Sequence, residues 1–149
     1  MIYNEEKRDL FTVPEEYHLC HCISADFGMG AGIVVLFNRH FDMKRKMQIL
    51  HKDEGEPKWD ALKTGYVIPE GRVFNLITKR NYWNKPTYSD LAQSLLDLKK
   101  HCVKNKITKL AMPLIGCGID GLEWEKVSEI LKTIFNDTDI EILVCKWNW

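Results

Sequence analysis

Two glycine-rich segments contain residue types that can bind phosphate groups through the backbone. The first, at residues 28–32, is Gly-Met-Gly-Ala-Gly, and the second, at residues 116–121, is Gly-Cys-Gly-Ile-Asp-Gly. Glycine tolerates unusual dihedral angles, so the N–H groups of such loops can turn inwards and donate to phosphate oxygens without a basic side chain. Each segment lies between a predicted strand and a predicted helix. Together they predict a site for a diphosphate.

Neither glycine segment matches a common nucleotide-binding signature. The chain contains no Gly-Lys-Ser or Gly-Lys-Thr, which argues against a P-loop triphosphatase. The first segment lacks the third glycine spacing of the dinucleotide fingerprint, and no acidic residue ends a second strand at the expected distance. One glycine-rich loop can also be an ordinary tight turn, so the prediction depends on the presence of both.

Several polar side chains near these loops could carry chemistry, and each also has a structural explanation. Lys79 follows an apolar run and could be a nucleophile or a solvated surface charge. Asp120 could be an acid or base, a turn residue or a helix cap. Asp9 could cap a short helix, and Ser24 could satisfy a loop backbone group. His21, on a predicted buried strand, fits a hydrogen-bonded core histidine better than a general base.

The five cysteines predict neither a disulfide framework nor a metal site. Their number is odd and no Cys-x-x-Cys pair occurs. Cys20 and Cys22 flank His21, but neighbouring residues of a strand point to opposite faces, so the three cannot converge on one ion. We therefore expect buried, small apolar thiols.

The elements that must position these residues alternate between short apolar runs and helical patterns, which predicts an α/β fold. The predicted strands lie at residues 17–23, 67–68, 73–78, 110–115 and 140–145, and the predicted helices at residues 31–40, 43–50, 87–105 and 123–135. Residues 67–68 and 73–78 flank a Pro-Glu-Gly turn and could form a hairpin. Residues 51–60 are charged and predict a surface loop. Both glycine segments follow strands, where ligands bind in open α/β sheets.

The helix at residues 87–105 has the clearest pattern. Thr87 can cap its first turn, and Asp90 stands in the box position. Apolar residues recur at helical spacing from Leu91 to Cys102, which predicts one face in the core.

Length and composition predict one soluble domain. The 149 residues are 45% hydrophobic, enough for a continuous core without disulfides or metals. Lys plus Arg and Asp plus Glu both number 21, so no global field attracts nucleic acid or anionic lipid, and any polyanion must be recognised locally. The N-terminus has no signal-peptide pattern and no apolar run approaches the roughly 18 residues of a membrane span. We expect a cytoplasmic, intracellular protein that is not secreted and has no membrane partner.

Six segments together resemble the macrodomain family. They are residues 9–11 (Asp-Leu-Phe), 21–24 (His-Cys-Ile-Ser), 28–33 (Gly-Met-Gly-Ala-Gly-Ile), 76–79 (Leu-Ile-Thr-Lys), 85–88 (Lys-Pro-Thr-Tyr) and 113–120 (Pro-Leu-Ile-Gly-Cys-Gly-Ile-Asp). Within macrodomains the chain is most similar to the terminal ADP-ribose protein glycohydrolase branch, which includes antitoxins that reverse DNA ADP-ribosylation. The lysine after Leu-Ile-Thr and the Gly-Cys-Gly-Ile-Asp loop are the most specific pieces.

The resemblance implies a three-layer α/β/α macrodomain with a mixed central sheet, spanning residues 1–149 as a single domain. It implies ADP-ribose as ligand or product, with no cofactor and no metal. The residues that it assigns to ADP-ribose binding are Asp9, Leu10, Ser24, Gly30, Ala31, Gly32, Ile33, Thr78, Pro113, Gly116, Cys117, Gly118 and Ile119. Among them, Asp9 would accept a hydrogen bond from the adenine amino group, Leu10 would supply backbone contact beside it, and Ser24 would lie near the distal ribose.

The same resemblance implies that Lys79 and Asp120 are catalytic. In this branch the matching lysine attacks the anomeric carbon of the distal ribose, and the matching aspartate assists the acid and base steps. An amine must lose its proton before it attacks, and a nearby carboxylate can take or return that proton. The adduct would expel a carboxylate or a nucleobase, after which Asp120 would activate the water that releases ADP-ribose.

Some positions depart from the family pattern. Arg8 stands where the branch usually has glycine, and Cys145 stands where it has a tyrosine near the adenine. Trp147 and Trp149 could stack on the base or cover the sheet edge, and we favour the second. Residues 80–85, Arg-Asn-Tyr-Trp-Asn-Lys, mix basic and aromatic side chains that could contact a modified nucleic-acid or protein strand, or pack as ordinary surface.

The sequence thus predicts an ADP-ribosyl hydrolase that removes ADP-ribose from acidic side chains, acyl groups or DNA bases, including a deacylase of acylated ADP-ribose. Its partners would be ADP-ribose and ADP-ribosylated protein or DNA, and we expect a monomer. Two alternatives stay open: a reader that binds ADP-ribose without turnover, and the antidote half of a toxin pair that acts on nucleic acid. The combination of Lys79 and Asp120 favours the enzyme.

Overall fold

A mixed six-stranded sheet lies at the centre of the computed structural model, which describes residues 1–50, 52–53, 56–57 and 63–149. The strands are β1 (Ile2–Lys7), β2 (His18–Ser24), β3 (Lys52–Asp53), β4 (Glu56–Pro57), β5 (Tyr66–Glu70), β6 (Val73–Lys79), β7 (Lys109–Met112) and β8 (Glu141–Lys146). The order in the sheet is β1-β8-β7-β2-β6-β5, and its neighbouring strands are parallel except for the β5–β6 hairpin. The predicted hairpin is therefore confirmed.

Helices cover both faces of the sheet and complete the predicted three-layer α/β/α architecture. They are α1 (Val34–Phe41), α2 (Met43–Leu50), α3 (Tyr88–Asn105) and α4 (Trp124–Phe135), with a short 3-10 helix at Leu10–Thr12. One hydrophobic core joins α1 and α2 to the sheet, and a second joins α3 and α4 to the opposite face. The central strands β2, β6 and β7 are buried on both faces, as expected for parallel strands between two helix layers.

The cap and the apolar spacing predicted for α3 are both present. The Thr87 hydroxyl accepts a hydrogen bond from the Asp90 N–H, and the Asp90 carboxylate accepts one from the Thr87 N–H, which forms a capping box. The residues of α3 buried in the core are Leu91, Ser94, Leu95, Leu98 and Cys102.

Three differences from the sequence prediction have physical explanations. Strand β1 was not predicted, because its residues are mostly exposed and pair with β8 at the other end of the sequence. Helix α1 begins at Val34 and not at residue 31, because Gly32 has a left-handed φ of 75°. Within the predicted loop 51–60, strands β3 and β4 form a short antiparallel pair, and its other residues lie outside the described ones.

Over the residues that the structure describes, no helix is both long and apolar enough to span a membrane.

Candidate active site

A cavity of about 890 Å³ crosses the carboxyl ends of β8, β7, β2 and β6. Its walls come from the two glycine-rich loops, from the start of α1 and from the residues after β8. Adjacent strands lie about 4.8 Å apart, so the three strand spacings from β8 to β6 correspond to about 14 Å. The cavity is therefore long enough to have two chemically different ends.

Lys79 and Asp120 form an ion pair at the β6 end of the cavity. The distance from Lys79 Nζ to Asp120 Oδ1 is 2.7 Å, and the two side chains are only 14% and 16% exposed. Lys79 is the last residue of β6, whereas Asp120 lies in the loop after β7. The fold thus brings together an amine and a carboxylate that are 41 residues apart in sequence.

Two thiols line the cavity near this ion pair. Burial, followed by the charge of Asp120, raises the pKa of the Cys22 thiol to about 12. Burial raises the pKa of the Cys117 thiol to about 11. The thiolate is the nucleophilic form of cysteine. The raised pKa values keep both thiols in the protonated, weakly nucleophilic form near neutral pH.

The first glycine loop is held by the carboxylate of Asp26. This carboxylate accepts hydrogen bonds from the Ser24 hydroxyl at 2.5 Å, from the Gly28 N–H at 3.1 Å and from the Tyr82 N–H at 3.0 Å. Phe27 and Met29 have left-handed φ values of 55° and 46°, and both side chains are buried. Side-chain contacts therefore hold this loop in a conformation that would otherwise favour glycine.

The second glycine loop is held by its own backbone. Gly116 and Gly121 have left-handed φ values of 74° and 77°. The Cys117 N–H donates to the Leu114 carbonyl, and the Leu122 N–H donates to the Gly116 carbonyl. Here glycine occupies the left-handed positions, so no side chain is required to hold them.

Open space at two glycines gives a ligand access to the backbone of both loops. A Cβ atom at Gly118 would have no neighbour within 4 Å, and one at Gly30 would meet only the Gly28 carbonyl, at 3.9 Å. The loops approach each other at Gly32, where a Cβ atom would lie 3.3 Å from Ile119 Cδ1. The Ile119 carbonyl accepts a hydrogen bond from Lys85 Nζ at 2.5 Å. The two loops thus border one continuous channel.

The β8 end of the cavity is apolar and aromatic. Trp147 and Trp149 both line it and are 48% and 43% exposed. Trp149 also packs edge to face on Phe11, with ring centroids 5.8 Å apart. This end can accept a flat, weakly polar group, whereas the β6 end presents charge.

A macrodomain family model matches residues 23–131 of the chain. The chain is 45% identical to the ADP-ribose glycohydrolase OARD1 of Bos taurus and 44% identical to that of Homo sapiens. Each match is over 139 residues and covers 93% of this chain and 87% of the relative. The chain belongs to the macrodomain family.

Solved macrodomain structures support the same fold. The macrodomain of Mycobacterium tuberculosis DarG superposes with a TM-score of 0.81 at 21% identity, covering 99% of this chain and 98% of that one. Thermosipho africanus DarTG, solved in complex with ADP-ribose, superposes with a TM-score of 0.77 at 19% identity, covering 99% of this chain and 42% of that one. At these identities the likeness concerns the fold alone.

Most of the residues predicted to bind ADP-ribose line the cavity of this macrodomain. They are Ser24, Gly30, Ala31, Gly32, Ile33, Pro113, Gly116, Cys117, Gly118 and Ile119. The predicted catalytic residues Lys79 and Asp120 line it as well. The Ser24 hydroxyl donates to the Asp26 carboxylate, whereas the structural alternative for Ser24 was a bond to a loop backbone group.

Three predicted residues are not among those that line the cavity. Leu10 and Thr78 are buried in the fold, at 0% and 1% exposure. Asp9 caps the 3-10 helix, where its carboxylate accepts a hydrogen bond from the Phe11 N–H. This is the structural alternative for Asp9, and it leaves the predicted adenine contact without direct support from the cavity wall.

Residues that the sequence did not assign to the site form much of the macrodomain's cavity wall. They are Cys22, Ile23, Met29, Val34, Val35, Leu36, Tyr82, Leu114, Ile115, Cys145, Trp147 and Trp149. The sequence predicted the helix that became α1 but assigned none of its residues to the site. Of the two roles predicted for Trp147 and Trp149, cover of the sheet edge was favoured over base stacking, and both residues border the cavity.

Among the residues with described positions, no group of three or more His, Cys, Asp or Glu side chains could hold a metal ion. The predicted alternation at Cys20, His21 and Cys22 is confirmed. Cys20 and Cys22 pack towards the α3–α4 core, and His21 stacks on Phe37 of α1 on the opposite face.

Proposed function

We propose that this macrodomain binds ADP-ribose and hydrolyses the bond between its distal ribose and the group that carries it. The observation that carries the proposal is the ion pair between Lys79 and Asp120 at one end of a channel bordered by two glycine loops. A relative of 45% identity is an ADP-ribose glycohydrolase by name, and the fold is similar to a DarTG protein solved with ADP-ribose.

The two ends of the cavity suggest one orientation for ADP-ribose. The diphosphate would lie between the glycine loops, where open backbone at Gly30 and Gly118 can donate hydrogen bonds. The adenine would face Trp147 and Trp149, since a flat heteroaromatic ring suits an aromatic wall. The distal ribose would then reach Lys79, about 14 Å away across three strand spacings.

The ion pair can supply both the nucleophile and the acid or base. Lys79 transfers a proton to Asp120 along their hydrogen bond and becomes a neutral amine. The amine then forms a bond to the anomeric carbon of the distal ribose, and the bond to the leaving group breaks with its electron pair. Asp120 can return the proton to a leaving group that needs one.

Water completes the proposed reaction. The lysine adduct opens to an imine as its N–H proton passes to the ring oxygen. Asp120, ionised once it has given its own proton to the leaving group or to solvent, takes a proton from the attacking water. The carbon–nitrogen bond then breaks, which releases ADP-ribose and restores the amine. A leaving carboxylate needs little assistance, whereas a nucleobase benefits from protonation. Protein esters and other acyl groups carried on the anomeric oxygen, and DNA bases bonded to the anomeric carbon, are therefore all candidate leaving groups. The deacylase activity belongs to the same scheme for an acyl group at that position.

Replacing Lys79 tests the proposed nucleophile. Lys79→Ala is expected to lower ADP-ribose release by about 10³-fold or more while ADP-ribose affinity, measured by calorimetry, changes little. Lys79→Arg is a matched variant, because guanidinium keeps the positive charge beside Asp120 but does not lose its proton. Both variants should be equally inactive on glutamate-linked, acyl-linked and DNA-linked substrates.

Two outcomes would contradict this proposal. A wild-type protein that binds ADP-ribose but releases none from any of the three substrates would be a reader. Retained release in Lys79→Arg would mean that the positive charge, and not an attacking amine, matters at this position.

A further inference from the structure

Two large aromatic side chains are exposed beside the charged end of the cavity. Tyr82 and Trp83, which we call the aromatic rim, are 62% and 65% exposed. Their rings pack edge to face, with centroids 5.0 Å apart and an interplanar angle of 87°. Exposure of this size is unfavourable in water unless another surface covers the rings. Because the two rings are adjacent, they form one exposed apolar surface that a partner can cover.

Hydrogen bonds and close packing fix the backbone that carries the aromatic rim. The Tyr82 N–H donates to Asp26, the residue that also holds the first glycine loop. A Cβ atom at Gly28 would lie only 2.6 Å from Tyr82 Cβ, so the rim segment rests directly on glycine backbone. Reciprocal hydrogen bonds between Asn81 and Asn84 close the turn that carries Trp83. Because the backbone of the aromatic rim is already ordered, the rim loses little conformational entropy when it binds a partner.

The aromatic rim lies beside the expected path of the group that leaves the anomeric carbon. Tyr82 lines the cavity three residues after Lys79, and the exposed Trp83 ring packs against the Tyr82 ring. In the orientation proposed above, the anomeric carbon of the distal ribose faces Lys79. Whatever is attached to that carbon must extend past Tyr82 towards solvent. The rim would then meet the modified macromolecule and not ADP-ribose itself.

The chemistry of the rim favours one class of partner. Residues 80–88 include two exposed cationic residues, Arg80 and Lys85, and no acidic one, although the whole chain has no net charge. Exposed rings among cations form the usual binding surface for single-stranded nucleic acid, because bases stack on the rings and phosphates meet the cations. Both rings of the aromatic rim are largely exposed, so a flat group can reach them. Double-stranded nucleic acid keeps its bases stacked on one another and out of reach.

We propose that the aromatic rim stacks with a base next to the ADP-ribosylated nucleotide of a single-stranded polynucleotide. Trp83 provides the stacking surface, and Tyr82 directs the strand from the cavity mouth to it. This inference rests on the proposed hydrolysis, and it makes Trp83 a specificity residue that does not contact the reacting atoms.

Trp83→Ala tests the rim on matched substrates. The first is a single-stranded DNA of about 10 nucleotides with one ADP-ribosylated base, and the second is the same modified nucleoside without flanking nucleotides. We expect kcat/KM for the oligonucleotide to fall about 10-fold through KM, while kcat/KM for the nucleoside stays unchanged. Trp83→Phe should restore most of the loss. Tyr66→Ala, which removes an exposed ring on β5, is the control and should change neither value.

Binding of unmodified DNA separates this inference from the proposed function. Fluorescence anisotropy with the same unmodified single strand needs no catalysis, and Trp83→Ala should weaken binding by about 10-fold. If the wild type hydrolyses none of the substrates but Trp83→Ala still weakens binding of the single strand, the inference about the aromatic rim is supported and the proposed reaction is contradicted. An equal fall for the nucleoside, a selective fall for a glutamate-linked peptide, or no fall for either would overturn the rim as a polynucleotide surface.

Discussion

The two strand–loop–helix units that border the cavity have the same plan but are stabilised by different means. In the β2–α1 unit, the Asp26 carboxylate holds the loop, and the left-handed positions are filled by Phe27 and Met29. In the β7–α4 unit, backbone hydrogen bonds hold the loop, and Gly116 takes a left-handed position. The difference teaches that loops of the same plan can be held mainly by one side-chain carboxylate or mainly by backbone hydrogen bonds with glycine at the left-handed position.

The hydrophobic cores beneath the two units also differ, because the core of the β2–α1 unit contains a buried polar pair. The core under α1 contains His21, whose Nε2 donates to Asn75 Oδ1 at 2.6 Å and whose ring stacks on Phe37. Helices α3 and α4 pack mainly aliphatic side chains against the other face of the sheet. The first unit is therefore expected to respond to polar substitutions and to pH, and the second to changes in backbone conformation.

The largest effect is expected for Asp26→Ala in the first unit. The change removes the acceptor of two backbone N–H groups and one hydroxyl. We expect a loss of about 3 kcal/mol in the free energy of unfolding, measured with urea, and much weaker ADP-ribose binding by calorimetry. Asp137→Ala, at an exposed ion pair, should leave both unchanged. An Asp26→Ala protein as stable as the wild type would mean that side chains do not hold this loop.

Acid should destabilise the first unit through His21. Burial lowers the pKa of His21 to about 4, despite its hydrogen bond to Asn75, which raises it. In the unfolded chain His21 takes up a proton below its ordinary pKa of about 6.5, whereas in the folded chain it stays neutral until about pH 4. The free energy of unfolding therefore falls as the pH is lowered between these two values. We expect His21 to account for a loss of about 2 kcal/mol between pH 7 and pH 5.

His21→Gln isolates this effect, because it keeps an amide donor near Asn75 but does not titrate. Urea denaturation of both proteins at pH 7 and pH 5 should give a smaller pH-dependent loss for the variant, whatever its stability at pH 7. Parallel losses in the two proteins would show that His21 does not make the first unit acid-sensitive.

A smaller effect is expected for Gly116→Ala in the second unit. Alanine at a φ of 74° is strained, and its Cβ atom would lie 3.0 Å from Leu122 Cδ1. The free energy of unfolding should fall by about 1 kcal/mol. Gly118→Ala is the matched control, with open space around its Cβ, and should reduce ADP-ribose affinity without changing stability. Equal free energies of unfolding for the two variants would mean that glycine at the left-handed position 116 does not stabilise the second loop.

Local signals in the sequence predicted much of the fold. The cap of α3 and its apolar spacing are both confined to one segment, so Thr87 and Asp90 could be assigned without knowledge of the rest. Strand β1 could not, because within the described part of the chain it pairs with β8 alone, and its own residues show no buried face.

The candidate site was predictable to a different extent. The glycine loops could be found from residue type and position, and the convergence of Lys79 with Asp120 was expected only from the family resemblance. The 2.7 Å contact between them depends on strand order, which no local pattern specifies. The part of the wall that comes from α1 was not predicted for the same reason, whereas for Trp147 and Trp149 the sequence left base stacking and cover of the sheet edge both open.

The approach of Ile119 to Gly32 has a kinetic consequence. The isoleucine side chain bridges the channel between the two loops, and Lys85 fixes the backbone that carries it. In the orientation proposed for ADP-ribose, the diphosphate would enter or leave past this contact. Exchange of the bound molecule would then depend on rotation of the exposed Ile119 side chain.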